Sequence, residues 1–217
     1  MQQRLIIAID GPSGSGKSSV SRAIAAHYGL QYLDTGAMYR ALTWWSLQGN
    51  VSVAGCPLDI STSPSDGTVR VGDVDVTEAI RGAEVTNAVS AVAARPEVRE
   101  VAVAMQRRII SAAERGIVVE GRDITTVVAP DADVRIFLTA DLAAREARRA
   151  AEFQDPSLAD AMRRTISTRD AADSSRAHSP LQQVAGVTVV DATHLTLDEV
   201  IAEVRELIEQ SIDRTAP

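Results

Sequence analysis

The chain has 217 residues and a formal net charge of −7: a length for one domain, or one domain with a substantial insertion, and a balance that excludes a general binder of nucleic acid or anionic membrane. Hydrophobic residues make up 45% and aromatic residues only 3%, a composition that suits tight α/β packing. Cys56 is the single cysteine, which excludes an intramolecular disulfide; no apolar run approaches membrane-spanning length and no leader pattern opens the chain, so a soluble cytoplasmic protein is expected.

The first element is Leu5-Ile-Ile-Ala-Ile9, an apolar run that predicts a buried parallel strand. Gly11-Pro-Ser-Gly-Ser-Gly-Lys-Ser18 follows and matches G-x-x-x-x-G-K-[ST]. A helix is predicted from Ser18 to Tyr28, with Val20, Ile24 and Tyr28 at helical spacing. Gln31 to Asp34 predicts a second strand, and Ala37 to about Leu47 a helix that Asp34 with Thr35 can cap. Residues 49–68 are rich in Gly, Pro, Ser and Asp and predict loop. Thr68 to Thr77 alternates around Gly72-Asp73, the pattern of a small hairpin. Helices are predicted from Ala83 to Ala94 and from Pro96 to about Arg115.

Gly116 to Glu120 is a third core strand and Val134 to Leu138 a fourth, followed by a helix from Asp141 to about Phe153. Ser157 can cap a helix running to about Ala172. Residues 186–191 predict a fifth strand, and Thr196-Leu-Asp-Glu199 opens the last helix with a capping-box pattern. Short apolar strands separated by helices mean a parallel sheet covered on both faces. The segment between about 50 and 100 breaks that rhythm and reads as an inserted module.

The chemistry begins with Lys17, the only lysine beside 21 arginines. In this motif backbone N–H groups cradle phosphates, the lysine reaches the β/γ oxygens, and the hydroxyl of Ser18 serves Mg²⁺. With no second lysine, the Asn-Lys-x-Asp guanine-reading motif of a GTPase is impossible. The arginine excess itself reads as genomic codon bias and nominates no residue. Glu120-Gly-Arg122-Asp123 ends the third strand, and an arginine at that place suggests a second anionic substrate. Arg169, Asp173 and Arg176 share one face if they are helical: either a solvated ion-pair face or a clamp for a phosphate and a sugar hydroxyl. Tyr39 and Arg40 sit in the first turns of a helix at the carboxyl end of a strand, where open α/β sheets bind ligands.

GPSGSGKS, DTGAMYR, EVTNAVSAVAARPEVRE, EGRDITTVVAPDA and RDAADSSRAHSPL, in that order from about Ile7 to Asp191, resemble bacterial cytidylate kinase, of the P-loop nucleoside monophosphate kinase family. The sequence departs from the commonest pattern at Glu120, where some members have Asp, and residues 51–68 look shorter than in the longer members. The resemblance implies an α/β P-loop kinase: a five-stranded parallel sheet flanked by helices, with an inserted NMP-binding module and a short lid. The core would comprise 1–34 and 115–217, the acceptor region 35–114, and the lid about 153–162.

The implied activity is ATP-dependent phosphorylation of CMP and dCMP, with Mg²⁺ as cofactor and a monomer that binds neither nucleic acid nor membrane. The alternatives are a UMP or shikimate-type kinase and a P-loop regulatory ATPase. Carried over, Gly11, Pro12, Ser13, Gly14, Ser15, Gly16, Lys17, Ser18 and Ser19 would hold ATP, with Ser18 toward the metal and Lys17, Arg122 and Arg176 catalytic. Arg40, Arg122 and Arg176 would hold the acceptor phosphate, and Thr35, Tyr39, Arg169 and Asp173 its sugar and phosphate. Ser90, Arg99 and Asp123 would read the cytosine edge. Arg145, Arg148 and Arg149 would belong to the lid.

Overall fold

The structure, a computed structural model, describes residues 4–151 and 166–215. Five parallel strands form the central sheet in the spatial order β2-β6-β1-β7-β8. They are β1 (Leu5–Asp10), β2 (Gln31–Asp34), β6 (Gly116–Gly121), β7 (Val134–Thr139) and β8 (Thr188–Asp191). The order switches direction at β1, so the loop after β1 opens into the crevice where such sheets bind ligands. All six residues of β6 are buried, as a central parallel strand requires.

Helices cover both faces. α1 (Lys17–Tyr28) and α7 (Leu197–Thr215) pack on one side, where Ile7, Ile9, Val20, Ile24, Ile136, Leu138 and Val204 form one apolar core. The predicted capping box is present at α7: Thr196 N–H donates to the Glu199 carboxylate at 2.8 Å, and Glu199 N–H to Thr196 Oγ1 at 3.3 Å. On the other side α4 (Pro96–Ala112) joins Leu33, Met38, Ile117, Val119 and Ile124 in a second core. α4 ends at Ala112, short of the expected Arg115.

The segment between β2 and β6 builds its own core. α2 (Thr35–Leu47) and α3 (Ala83–Ala93) pack around Leu42, Val69, Val71, Val76, Ile80 and Val89. α2 begins two residues earlier than expected, and it is the Asp34 carboxylate that caps it, accepting from Ala37 N–H at 2.9 Å. The hairpin is β4 (Val69–Val71) and β5 (Val74–Asp75), with Gly72 at φ 59° in its turn. Part of the stretch read as loop is a strand, β3 (Leu58–Ile60), which pairs antiparallel with β4. Its polar and Pro-rich flanks hide it locally; the partner strand creates it. Tyr32 N–H donates to Thr62 O at 2.8 Å and ties this module to the edge strand β2.

α5 (Leu142–Ala151) follows β7, and a further helix, α6, spans residues 166–174. The lid expected at about 153–162, and the first part of the helix expected from Ser157, lie outside the described residues.

Candidate active site

The loop between β1 and α1 is shaped by two glycines. Gly16 caps α1 at φ 93°, a left-handed conformation that costs glycine little. A Cβ on Gly11 (φ 154°) would lie 2.0 Å from the Leu138 carbonyl oxygen, so only glycine lets the loop leave β1 against β7. Lys17, the first residue of α1, is buried and turned back onto its own loop. Its Nζ donates to Pro12 O at 2.7 Å and approaches Ser15 Oγ at 3.4 Å.

This loop forms one end of a cavity of about 450 Å³ that runs from Ser13–Ser19 past Asp34, Gly36 and Glu120 to Ala192, Leu195, Leu197 and Val200. Among the described residues six cationic side chains line it, Lys17, Arg40, Arg81, Arg122, Arg148 and Arg169, against the two acids Asp34 and Glu120. An acidic chain that gathers cations in one cavity has built a site for a polyanion. A smaller cavity of about 70 Å³ lies behind it, lined by Thr35, Tyr39, Val89, Ser90, Ala93, Asp123, Asp173 and Arg176. The two cavities share Gly36, Gly121, Arg122 and Arg169.

The shared wall comes from the carboxyl end of β6. A Cβ on Gly121 would stand 2.6 Å from both Ile124 Cδ1 and Thr35 Oγ1, so the wall is close-packed. Arg122 Nε donates to Asp173 Oδ2 at 2.9 Å, and Arg176 Nη2 lies 3.1 Å from Asp173 Oδ1. One carboxylate thus holds two arginines. Arg169 and Asp173 are on α6, as expected, but the helix ends at 174 and Arg176 reaches the cavity from the turn beyond it.

Asp123 and Arg99 form a buried ion pair, each side chain only 5% exposed. Arg99 also donates to Ala93 O at 3.2 Å, and its guanidinium lies 5.4 Å from the centre of the Tyr39 ring. Among the described residues Arg99 stands behind Asp123 and does not line either cavity. Burial pushes the Asp123 carboxyl upward, opposed by Arg99 and Arg176. Burial, then the Asp123 charge, pushes the Tyr39 hydroxyl up to about 12. Thr35 Oγ1 donates to Glu120 O at 2.7 Å, and the buried Glu120 carboxylate accepts from Tyr32. Arg40 donates to Ile80 O at 2.8 Å and Thr86 Oγ1 at 2.9 Å from the rim of the larger cavity.

The arginines assigned to a lid separate. Arg148 lines the larger cavity and donates to Ala192 O and Leu195 O. Arg145 is buried at the back of the phosphate-binding loop, donating to Ala140 O and Ser13 O at 2.9 Å each and pairing with Asp170. A side chain anchored by two carbonyls and a carboxylate supports the loop. The side chain of Arg149 is outside the described residues.

Two anchoring acids were not picked out from the sequence. Asp10, at the end of β1, accepts from Ile124 N–H at 2.9 Å and from Thr125 N–H and Oγ1 at 2.7 Å each. It fixes the single π-helical turn Ile124–Val128 that carries the chain away from Asp123. An acid closing an apolar strand was the available signal. Asp170, inside the RDAAD segment, is the other; its partner Ser13 is 157 residues away.

Comparison with known proteins gives the family. The family model described as Cytidylate kinase matches residues 7–210. The chain belongs to the cytidylate kinase family. A cytidylate kinase of Streptomyces griseus is 51% identical over 216 residues, covering 94% of this chain and 93% of its relative. One of Nocardia farcinica is 47% identical, covering 96% and 95%. These relatives do not favour a UMP or shikimate-type kinase or a regulatory ATPase. Two solved structures share the fold alone: an uncharacterized protein from Eubacterium ventriosum (TM-score 0.55, 14% identity, 95% of this chain and 99% of that one) and a shikimate kinase from Bacteroides thetaiotaomicron (TM-score 0.50, 14% identity, 94% and 98%). No helix among the described residues is long and apolar enough to cross a membrane.

Within this cytidylate kinase fold Lys17 is electrostatically poised. Burial, then the Arg122 charge, lowers its ammonium from 10.5 to about 7, against the pull of Glu120, Asp10 and Asp170. The ligand-free amine is therefore mostly neutral at pH 8, and a bound polyphosphate restores its proton. Binding of an ATP analogue takes up close to one proton at pH 8 and little at pH 6, so affinity falls by up to about tenfold per pH unit above 7. Calorimetry in two buffers of different ionisation heat measures the uptake, and Lys17→Met removes it. Linkage to folding has the opposite sense: between about pH 7 and 10.5 the unfolded chain binds more protons here, so this group's contribution to stability rises with pH.

Proposed function

We propose that the larger cavity takes ATP and the smaller takes the base of CMP or dCMP, and that the γ-phosphoryl group passes across the wall the two share. Supporting this reading above all is that wall: Gly36, Gly121, Arg122 and Arg169 border both cavities. A direct transfer needs its donor and acceptor sites to touch there. The small cavity suits a base edge rather than a whole nucleotide, so the sugar and phosphate would extend past Arg122 toward the loop. We read 35–114 as the acceptor region, and 1–34 with 115–217 as the core.

The acceptor oxygen belongs to a phosphate monoester with a second pKa of about 6, mostly dianionic at neutral pH. No general base is needed. Catalysis is positioning plus neutralisation of spreading charge. Lys17 leaves Pro12 O for the transferring group. Arg122 and Arg176, held side by side by Asp173, meet the acceptor phosphate, with Arg40 and Arg169 beside them. On the donor side Ser13–Ser19 wrap the phosphates and Arg148 closes the far end near Ala192. Ser18 and the Glu120 carboxylate present hard oxygens beside the loop, a donor set suited to Mg²⁺, which keeps several waters and binds mainly through phosphates. Ser18 and Glu120 would hold the ion, which would supply neutralisation of phosphate charge.

Cytosine presents acceptors at O2 and N3 and a donor amine at N4. The Asp123 carboxylate complements the N4 amine and Ser90 adds a hydroxyl, while Arg99, behind Asp123, holds that carboxylate in place; uracil would turn a carbonyl toward Asp123. The decisive experiment is a panel of NMP and dNMP acceptors against ATP with wild type and Asp123→Asn. CMP and dCMP turn over fastest in wild type, and the kcat/KM ratio of CMP to UMP falls in the variant. An unchanged ratio removes Asp123 from base reading; turnover of another acceptor in preference to CMP overturns the assignment.

A further inference from the structure

α6 presents two different faces to two different sites. Arg169 and Asp173 border the small cavity. Asp170, one residue on from Arg169, turns instead to the phosphate-binding loop. Its Oδ1 accepts from Ser13 N–H at 2.9 Å, and its Oδ2 pairs with Arg145. Arg145 closes the ring by donating to Ser13 O at 2.9 Å, and a second bond to Ala140 O at 2.9 Å roots it just past the interior strand β7. The Asp170 side chain is 17% exposed and that of Arg145 10%. Both backbone polar groups of Ser13 are thereby gripped by one charged pair, and half of that pair is on the helix that carries Arg169 and Asp173.

We infer that Asp170 is a positioning residue that couples occupancy of the acceptor cavity to the shape of the phosphate-binding loop. The inference rests on the proposed use of the two cavities. A phosphate drawing Arg122 and Arg176 off Asp173 shifts α6, because Asp173 is their common anchor. A shift of α6 moves Asp170, and through it the Ser13 peptide at the mouth of the donor site. The coupling is reciprocal: a polyphosphate that orders the loop fixes α6 in the place the acceptor needs. A charge-assisted bridge transmits this better than apolar packing, since it has a defined geometry to keep or lose.

The test is equilibrium binding of CMP to the full chain, alone and with a saturating β,γ-imido analogue of ATP plus Mg²⁺. In wild type the analogue tightens CMP by about 5-fold or more, the lower end of typical coupling between sites. Asp170→Asn keeps an acceptor for Ser13 N–H but loses the charge that holds Arg145; Asp170→Ala loses both. The ratio of the two dissociation constants falls toward one in Asp170→Asn and reaches it in Asp170→Ala. Arg145→Gln with Asp170→Asn falls no further than Asp170→Asn alone, because one bridge is removed only once. A residue that merely stabilises the fold would lower Tm and leave the ratio untouched, so an unchanged ratio in Asp170→Asn overturns the inference. So does a wild-type ratio of one with CMP bound. Absence of CMP binding in wild type overturns the acceptor assignment itself and the coupling with it.

Discussion

Lys17→Ala lowers kcat with CMP by roughly 10²–10³-fold, the 2.7–4 kcal/mol typical of a donor aimed at developing transition-state charge. The fold survives the change. Among the described residues the Lys17 amine hydrogen-bonds to Pro12 O and Ser15 Oγ, both in its own loop, and Arg122 is a neighbouring like charge that lowers its pKa. Removing the amine relieves that repulsion and its desolvation, so the thermal midpoint stays level or rises. Steady-state kinetics beside a thermal melt separates the two effects. Near-normal kcat would falsify the role given to Lys17.

Arg99→Ala is the costliest single change expected around the smaller cavity. It leaves the Asp123 carboxylate buried with its closest cation gone, and stripping one partner from a buried pair typically costs about 3–5 kcal/mol. At about 2–4 °C per kcal/mol for a chain of this size, Tm drops by about 6–20 °C. Asp123 has an escape: burial already pushes its carboxyl upward, and without Arg99 it takes up a proton and becomes a donor toward the base. Discrimination between CMP and UMP therefore collapses along with stability. Arg99→Ala combined with Asp123→Asn recovers much of the stability and none of the discrimination, a non-additivity a double-mutant cycle reads directly. A loss under about 1 kcal/mol in Arg99→Ala, by denaturant titration, contradicts the buried-pair account.

The sheet was legible because it is written in local patterns. β1, the glycine loop and α1 occupy consecutive residues, and each further core strand is an apolar run beside a helix signal. Most cavity-lining residues were legible for the same reason, as short motifs at strand ends. What escaped depends on partners distant in sequence. β3 exists because β4 pairs with it. Asp10 looks like the end of a strand until Thr125, 115 residues on, arrives as its donor. Arg145 and Arg148 are three apart on one helix, and nothing local says that one faces the back of the phosphate loop and the other the cavity mouth. Arg176 fits a helical spacing on paper, but the helix stops before it.

The loss of lysine from every position but one also alters how the molecule meets electrophiles. The chain offers a single ε-amine, and the environment that lowers it to about 7 keeps much of it unprotonated, hence nucleophilic, at a pH where an exposed lysine near 10.4 is almost wholly an ammonium. Acylating and carbonyl reagents that decorate most proteins at many places therefore have one side-chain amine to find, and it lines the larger cavity. Covalent modification of side-chain amines becomes a readout of one site, which a bound polyphosphate would shield by occupying the space and returning the proton.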